Sequence, residues 1–278
     1  MDFETVPASN YSLSELVELL NRGFEDYFIP IHFSIDMFSN MLHKDGIDLA
    51  DSRVLISDNQ ACGIALIARR RWLRASRVAA MGIAKESRGK GAGSRFMKQL
   101  IDNASERGDR EMVLEVIEQN EAAVKLYQKY GFQSTRRLVG YIYRDNEVGK
   151  TEKSELHEID LPKMARLILQ YGLPDLPWQL SGESISQMNP HPFAYRTGQA
   201  YIVISNSEAE HLIIWSLLVE SEARGKGIGT EMLKCMMAHH LGKTWHVPAI
   251  CPEEVGKVFE RAGFEREKLS QWPMRLGL

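Results

Sequence analysis

The sequence predicts an α/β protein that contains two copies of one domain. A glycine-rich segment occurs twice, as ESRGKGAG at 86–93 and as EARGKGIG at 222–229, and six of its eight letters agree. Each copy follows an apolar run typical of a strand and precedes apolar residues at helical spacing. Farther along, LYQKYGF at 126–132 is answered by VFERAGF at 258–264. A repeat this long indicates a duplicated domain rather than a solenoid.

The first half reads as two helices, three strands, and then helices that alternate with strands. Apolar residues at helical spacing predict the helices, and apolar runs separated by turn signals such as SDNQ predict the strands. Gly131 ends the last helix, because glycine favours the backbone conformation that terminates helices. Helices are predicted at 14–24, at 35–42, from the first glycine-rich segment to 106, and at 121–130, and strands at 53–57, 61–68, 77–84, 112–117, 132–138 and 141–144.

The second half has fewer clear signals. A helix is predicted at 161–171, and strands at 200–205 and 211–219 precede the second glycine-rich segment and its helix. Between the first helix and these strands, the Pro- and Ser-rich stretch 174–192 reads as irregular structure.

Length and composition fit a two-domain chain without membrane association. The 278 residues are 44% hydrophobic and 26% charged, with a net charge of −3, whereas a general nucleic-acid-binding protein would usually be basic. No apolar run reaches the roughly 20 residues of a membrane-spanning helix, and the segment MDFETVPASN lacks the layout of a secretory signal. With three cysteines and no CxxC pair, we expect a cytoplasmic protein. The polar stretch 144–158 reads as a linker, which predicts domains at 1–147 and 156–278.

The repeated segment is suited to hold a phosphate group. Closely spaced glycines allow backbone N–H groups to point in one direction, and the following helix contributes its partial positive charge. Arg88 and Lys90 add positive charge in the first copy, as do Arg224 and Lys226 in the second. Neither copy fits the P-loop or the dinucleotide-binding pattern. The alternative is a plain strand-to-helix turn with solvated basic residues.

The residues around both segments resemble one enzyme family. The pattern Arg-x-x-Gly-x-Gly is similar to the acyl-CoA pyrophosphate loop of the GNAT N-acetyltransferases, and LEVIEQNEAAVKLYQKYGF at 114–132 is similar to the ribosomal-protein N-terminal acetyltransferase branch. The whole chain therefore resembles a tandem GNAT protein. The matching residues are Arg88, Gly91 and Gly93 in the first half and Arg224, Gly227 and Gly229 in the second.

This resemblance implies an α/β (α+β) fold of two tandem GNAT-like domains, each a mixed, mostly antiparallel sheet flanked by helices and splayed beside the strand before the loop. It implies acetyl-CoA as co-substrate, no metal, and direct attack of an amine on the thioester. The backbone N–H near Ile83 is the expected oxyanion donor. The implied cofactor-binding residues are Ile83, Ala84, Arg88, Gly89, Lys90, Gly91, Ala92, Gly93, Ser94 and Asn120, and in the second half Val219, Arg224, Gly225, Lys226, Gly227, Ile228 and Gly229.

Three side chains of the first half match functional positions of the family. Glu115 is the candidate general base, acting through a water, and it alternates with Leu114 and Val116 along its strand. Tyr127 is the candidate general acid for the leaving thiolate, and Asn120 matches a CoA-contacting asparagine. Their alternative roles are an ordinary exposed strand glutamate, a tyrosine packed in the core, and a helix cap.

The first half departs from the family in one respect. Many GNAT proteins carry an acidic residue on the strand before the loop, whereas residues 79–82 read AAMG. The base is therefore either Glu115 or an acid from the N-terminal helices, such as Glu25, Asp26 or Asp36.

The second half keeps the loop and loses the reactive side chains. We expect this half to be catalytically inactive, and whether its loop still binds CoA stays open. When the two Gly-Phe motifs are aligned, Glu115 meets Val247, Asn120 meets Pro252 and Tyr127 meets Phe259.

Two further segments stand out. ARRRWLRASR at 68–77 carries five arginines. It reads as a solvated hairpin with Trp72 packed on the sheet, although it could also guide an anionic acceptor or nucleic acid. EDYFIPIHF at 25–33 clusters aromatic residues and acids; in GNAT folds this region walls the acceptor site, and its alternative is core packing.

The leading prediction is an acetyl-CoA-dependent N-acetyltransferase with its active site in residues 1–145. The alternative is a non-catalytic acyl-CoA-binding or regulatory protein, and a weaker third possibility is a nucleic-acid-associated factor. The acceptor, a small-molecule or peptide amine, is not identified by the sequence. Monomer and homodimer both remain open.

Overall fold

The chain forms two compact units. The structure, a computed structural model, describes residues 3–144 and 155–278. Unit 1 is Met1–Thr135 together with Trp272–Leu278, and unit 2 is Arg136–Gln271. The sequence predicted a division at 147–156 instead. Most of that linker, residues 145–154, lies outside the described residues.

Unit 1 contains a mostly antiparallel sheet and four helices among the described residues. The first four strands pair antiparallel in sequence order, and the fourth and fifth pair parallel. The strands are β1 Phe3–Pro7, β2 Arg53–Ser57, β3 Gln60–Arg70, β4 Ala75–Ile83, β5 Glu111–Ile117 and β6 Gln133–Ser134. The helices are α1 Leu13–Gly23, α2 Ile35–Asp45, α3 Ala92–Glu106 and α4 Glu121–Lys129.

Unit 2 repeats this plan in its described residues. Strands β8 to β11 pair antiparallel in sequence order, β11 and β12 pair parallel, and β7 pairs antiparallel with β12 and β13. The strands are β7 Leu138–Arg144, β8 His157–Ile159, β9 Phe193–Thr197, β10 Ala200–Ile204, β11 His211–Val219, β12 Thr244–Pro252 and β13 Glu265–Gly277. The helices are α5 Leu161–Tyr171, α6 Gly182–Ser186, α7 Ile228–His239 and α8 Lys257–Arg261.

The end of each half pairs differently from the sequence prediction. In place of strands at 132–138 and 141–144, the structure has the two-residue β6 and the longer β7. β7 lies between β12 and β13 of unit 2, while Met274 and Arg275 near the end of β13 pair with β6 in unit 1. Gly140 interrupts the apolar pattern of β7, and it lies close to β12, since a Cβ there would be 3.1 Å from the Val247 carbonyl oxygen and 3.2 Å from the Ala249 nitrogen.

Each unit has its own apolar core. In unit 1, Phe96, Met97 and Leu100 of α3 pack with Leu114 of β5. In unit 2, residues of α7 pack in the same way against Trp245 of β12. The helical faces that the apolar spacing predicted are therefore the buried ones. No helix among the described residues is long and apolar enough to cross a membrane.

Candidate functional site

In each unit, two parallel strands separate beside the glycine-rich segment. β4 and β5 pair from Ala75↔Glu111 to Val78↔Leu114, although both strands continue farther. β11 and β12 pair only from His211↔Thr244 to Ile213↔His246. In the described residues beyond these points, the two strands of each parallel pair no longer bond to each other, so each unit has an opening at the end of the strand that leads into the loop.

The glycines of both segments adopt left-handed backbone conformations. φ is 73° at Gly89 and 83° at Gly91, and it is 77° at Gly225 and 86° at Gly227. Nothing lies within 4 Å of a Cβ built at Gly89, Gly91 or Gly225. Glycine is therefore required there by backbone conformation rather than by crowding.

The helices that follow begin without a capping side chain. α3 starts at Ala92 and α7 at Ile228, each directly after a left-handed glycine. The first N–H groups of a helix have no intrahelical partner, and they carry partial positive charge. Gly93 lies close to Ile83 and Leu126, so a Cβ there would come within 3.2 Å of the Leu126 side chain. The absence of a side chain lets α3 approach the strand and leaves its amides accessible.

The arginines of the two glycine-rich segments donate hydrogen bonds to backbone carbonyls. Arg88 donates from Nε to the Ile83 carbonyl at 2.8 Å and from Nη2 to the Gly23 carbonyl at 3.1 Å. Arg224 donates from Nε to the Val219 carbonyl at 3.0 Å and from Nη2 to the Tyr171 carbonyl. Each arginine thus ties its loop to the last residue of the unit's first long helix. The countercharge role that the sequence suggested for these arginines stays a prediction, and Lys90 and Lys226 are exposed.

The expected oxyanion donor lies beside a close backbone contact. The Ala84 N–H donates to the Cys62 carbonyl of β3 at 2.8 Å. Since neighbouring amides of a strand alternate in direction, the Ile83 N–H points away from β3. A Cβ at Gly23 would lie 2.9 Å from Gly82, so the end of α1 packs directly on the β4 backbone.

Tyr127 and Asn120 lie near Tyr27, which no sequence motif had singled out. Tyr127 is buried, and its hydroxyl makes no hydrogen bond within the part of the chain that the structure describes. Burial, and secondarily the nearby Tyr27, raise the pKa of Tyr127. Asn120 caps α4 by accepting from the Ala123 N–H at 3.2 Å, and its side chain also lies close to the Tyr27 hydroxyl. The cap role that was left open for Asn120 is therefore present.

Glu115 belongs to a buried ion-pair cluster rather than to an exposed strand face. Its Oε2 accepts from Nε of Arg77 at 2.8 Å, and both side chains are 5% exposed. Nη1 of Arg77 lies 3.4 Å from Oδ2 of Asp45, the last residue of α2. Burial opposes the charge of Arg77, but the two carboxylates outweigh it and raise its pKa. Glu115 is therefore held in place on the side of the sheet that carries α2.

The strand register corrects the alignment of the two halves. Arg77 faces Val113 across the parallel pair, and Ile213 faces His246 at the corresponding point. Glu115 therefore corresponds to Pro248 rather than to Val247. Unit 2 has apolar Ile213 in place of Arg77 and a proline in place of Glu115, so both partners of the buried ion pair are absent there.

Unit 2 has a partly open cleft between the separated strands. The cleft measures about 420 Å³ and lies between the glycine-rich segment, α5 and the separated ends of β11 and β12. Charged side chains also line it, namely Arg224, Glu254, Lys257 and Arg261. The side chains that line it from the strands and helices include Tyr171, Leu217, Val219, Pro248, Pro252 and Phe259.

The arginine-rich segment forms the expected hairpin between β3 and β4, and Arg71 at its turn is 73% exposed, but not all of its arginines are solvated. Arg77 is buried, and Arg69 forms ion pairs at 3.0 Å with Asp51 and with Asp109, so these arginines are not solvated. Trp72 was expected to pack on the sheet, but it is 68% exposed at the turn between β3 and β4. The prediction failed because the segment's charge pattern does not reveal which arginines lie inside a strand.

Replacing Arg77 with methionine should lower the free energy of unfolding by about 3–5 kcal/mol, because it removes the buried cation that pairs with Glu115 and leaves Asp45 with Lys44 at 3.9 Å. Urea unfolding measures this loss. The matched control is Arg71→Met, since Arg71 is 73% exposed on the surface and its pair with Asp48 spans 3.3 Å; that change should cost less than about 1 kcal/mol. Equal losses in the two variants would contradict a buried, interacting Arg77.

Comparison with known proteins found a matching family model, relatives with similar sequences and solved structures with a similar fold. Residues 13–132 match the model of the Acetyltransferase (GNAT) family. Over 64 residues, the chain is 38% identical to N-alpha-acetyltransferase 30 of Schizosaccharomyces pombe; the match covers 23% of this chain and 43% of that protein.

Two solved structures share the fold over nearly the whole chain. A GCN5-related N-acetyltransferase from Sphaerobacter thermophilus has a TM-score of 0.70 at 14% identity, covering 99% of this chain and 95% of that one. A tandem GNAT protein from the clavulanic acid biosynthesis pathway has a TM-score of 0.68 at 14% identity, covering 99% and 98%. The predicted tandem α/β fold with a mixed, mostly antiparallel sheet in each half is confirmed.

Proposed function

Because residues 13–132 belong to the GNAT acetyltransferase family, we propose that this chain transfers an acetyl group from acetyl-CoA to an amine, with the reaction centre in unit 1. The observation that carries this proposal is the opening between β4 and β5. The glycine-rich loop, the Ile83 amide and Tyr127 all belong to unit 1, and the side chains of Ile83 and Tyr127 pack in the same apolar cluster. The acceptor amine would attack the thioester directly, without a covalent enzyme intermediate.

Each proposed role follows from the position of a group. The amides of residues 89–94 would bind the diphosphate of acetyl-CoA, since they belong to the left-handed loop and the uncapped start of α3. The Ile83 N–H would stabilise the oxyanion. Glu115 would accept the proton of the ammonium through a water, and Tyr127 would protonate the leaving thiolate.

The transfer reaction is tested by free CoA release in the presence of acetyl-CoA and a panel of primary amines. The panel contains amino acid amides, free amino acids, peptides with unblocked N-termini and polyamines. Mass spectrometry of the acceptor must show one added acetyl group. CoA release that does not depend on any amine would contradict acetyl transfer.

The cleft of unit 2 favours a second, non-catalytic role. It combines an intact loop with a proline at the position of Glu115 and Phe259 at the position of Tyr127. Backbone amides suffice to bind a diphosphate, whereas acid–base chemistry requires side chains. We infer that unit 2 binds acyl-CoA without transferring its acyl group.

Calorimetry with acetyl-CoA should therefore give two sites per chain. Gly227→Val and Gly91→Val should each reduce this number to one, because a β-branched residue strongly disfavours the left-handed conformation at φ 86° and 83°. The two variants are matched controls for each other. A single site in the wild-type protein that only Gly91→Val abolishes would leave unit 2 as a scaffold.

A further inference from the structure

An exposed apolar surface lies on one segment of unit 1. Five large apolar side chains between residues 28 and 37 are 38–49% exposed. Single exposed apolar residues are common, but a cluster of this kind marks a binding surface. We call this cluster the apolar segment; it consists of Phe28, Ile29, Ile31, Ile35 and Met37.

The apolar segment borders an open cleft that α1 also lines. Ile31 and Ile35 face this cleft of about 940 Å³, together with Tyr27 and Pro30. Phe28 packs edge-on against Tyr27, with the ring centroids 5.6 Å apart. The surface is therefore continuous with Tyr27.

Tyr27 connects this surface to the proposed reaction centre. Its hydroxyl lies close to Asn120, and it is near enough to Tyr127 to raise the pKa of that residue. The chain just before Tyr27 is also held to the glycine-rich loop, because Nη2 of Arg88 donates to the Glu25 carbonyl at 3.1 Å. A molecule lying on the apolar segment would thus have one end at the position where the thioester is expected.

The charges along the cleft are predominantly negative. Glu18, Glu25 and Asp26 line it. Asp26 pairs with Lys85 at 2.7 Å, whereas neither Glu18 nor Glu25 makes an ion pair within residues 3–144 and 155–278. Arg22 also lines the cleft, but its charge is compensated by Glu86 at 2.7 Å. Such a cleft attracts an ammonium group and disfavours a carboxylate.

We propose that the acceptor is a primary amine carried on an apolar, uncharged body, and that the apolar segment binds this body. The proposal rests on the proposed acetyl transfer in unit 1. The cationic end of such an amine would lie near Glu18 and Glu25, and its apolar remainder would lie on the apolar segment.

Four acceptors test this class in the full-length protein. Phenylalaninamide should have a kcat/KM at least about tenfold above that of serinamide, because its phenyl group gains apolar contact. It should also exceed phenylalanine, whose carboxylate faces Glu18 and Glu25. A pentapeptide amide that begins with phenylalanine then shows whether the apolar body belongs to a peptide or to a small amine.

The variant Ile31→Ser/Ile35→Ser should lower kcat/KM for phenylalaninamide about tenfold through KM, while the affinity for acetyl-CoA stays constant. The matched control is Trp72→Ser/Leu73→Ser, which removes two exposed apolar side chains from another part of unit 1. The control should leave both constants unchanged. Equal rates for serinamide and phenylalaninamide, or equal effects of the two double variants, would overturn the proposal.

Ligand-observed NMR separates this proposal from the transfer reaction itself. Phenylalaninamide that binds to the wild-type protein but not to Ile31→Ser/Ile35→Ser, without CoA release, would support the surface and contradict acetyl transfer. CoA release with a polar or anionic amine in preference to phenylalaninamide would support transfer and overturn the substrate class.

Discussion

Replacing Tyr127 with phenylalanine should lower kcat for acetyl transfer by about 10²–10⁴-fold, with little change in the affinity for acetyl-CoA. The substitution removes only the hydroxyl, so the ring can still pack against Phe132, whose centroid lies 5.9 Å away. The loss arises because the thiolate of CoA would leave without a proton donor. Steady-state kinetics at saturating acetyl-CoA measures kcat, and calorimetry measures the affinity.

The pH dependence of the wild-type rate gives a second test of the acid role of Tyr127. Burial raises the pKa of Tyr127 above the ordinary tyrosine value of 10.0. Its hydroxyl therefore stays protonated up to pH 10, and the wild-type protein should not lose activity below that pH through this residue. A matched hydroxyl removal, Tyr11→Phe, should leave kcat unchanged. A wild-type rate in Tyr127→Phe would exclude the acid role.

Replacing Glu115 with glutamine should also lower kcat by about 10²–10⁴-fold. Glutamine keeps an oxygen that can accept from Nε of Arg77, 2.8 Å from the present carboxylate oxygen, but it cannot take the proton from the acceptor. Stability should change less than in Arg77→Met, because Arg77 keeps Asp45 as its anionic partner. The kinetic loss should therefore exceed any loss explained by unfolding.

A matched control lies on the same strand. Glu111→Gln removes a carboxylate that pairs with Arg275 at 3.2 Å near the surface of unit 1. This variant should retain the wild-type kcat. If Glu115→Gln retains it as well, the base is one of the other acids considered, of which Glu25 and Asp26 line the cleft that borders Tyr27.

The second unit supplies an internal comparison. Its register places Ile213 at the position of Arg77 and Pro248 at that of Glu115. A buried carboxylate is costly without a cation, and a buried cation is costly without carboxylates. The absence of both partners from unit 2 therefore avoids an unpaired buried charge, and it is consistent with a unit that keeps its loop for binding alone.

Much of the local structure could be predicted from the sequence. α5 at Leu161–Tyr171 and β11 at His211–Val219 have the predicted bounds, and α2 begins at the predicted Ile35. These elements depend on apolar periodicity and on caps such as Ser34, whose side chain accepts from the Met37 N–H. Such signals depend only on residues that are close together in the sequence.

The same distinction between local and long-range signals applies to the candidate site. Positive φ at Gly89 and Gly91 follows from the glycine spacing, whereas the contacts of Arg88 with Gly23 and Glu25 join positions more than 60 residues apart. Arg77 was grouped with solvated arginines because only its strand partners reveal its burial. Tyr27 was part of a segment that the sequence pointed to, but no spacing places it beside Tyr127.

The sequence by itself determined that one domain occurs twice and that each copy carries a glycine-rich segment between a strand and a helix. That the reactive side chains occur only in the first copy stays a prediction from the sequence. The tertiary structure decided that β7 pairs in unit 2, that the end of β13 pairs in unit 1, that Arg77 is buried against two carboxylates, and that Trp72 is exposed. The physical reason is that backbone conformation and helix periodicity depend on neighbouring residues. Strand pairing and burial depend instead on which distant segments come into contact.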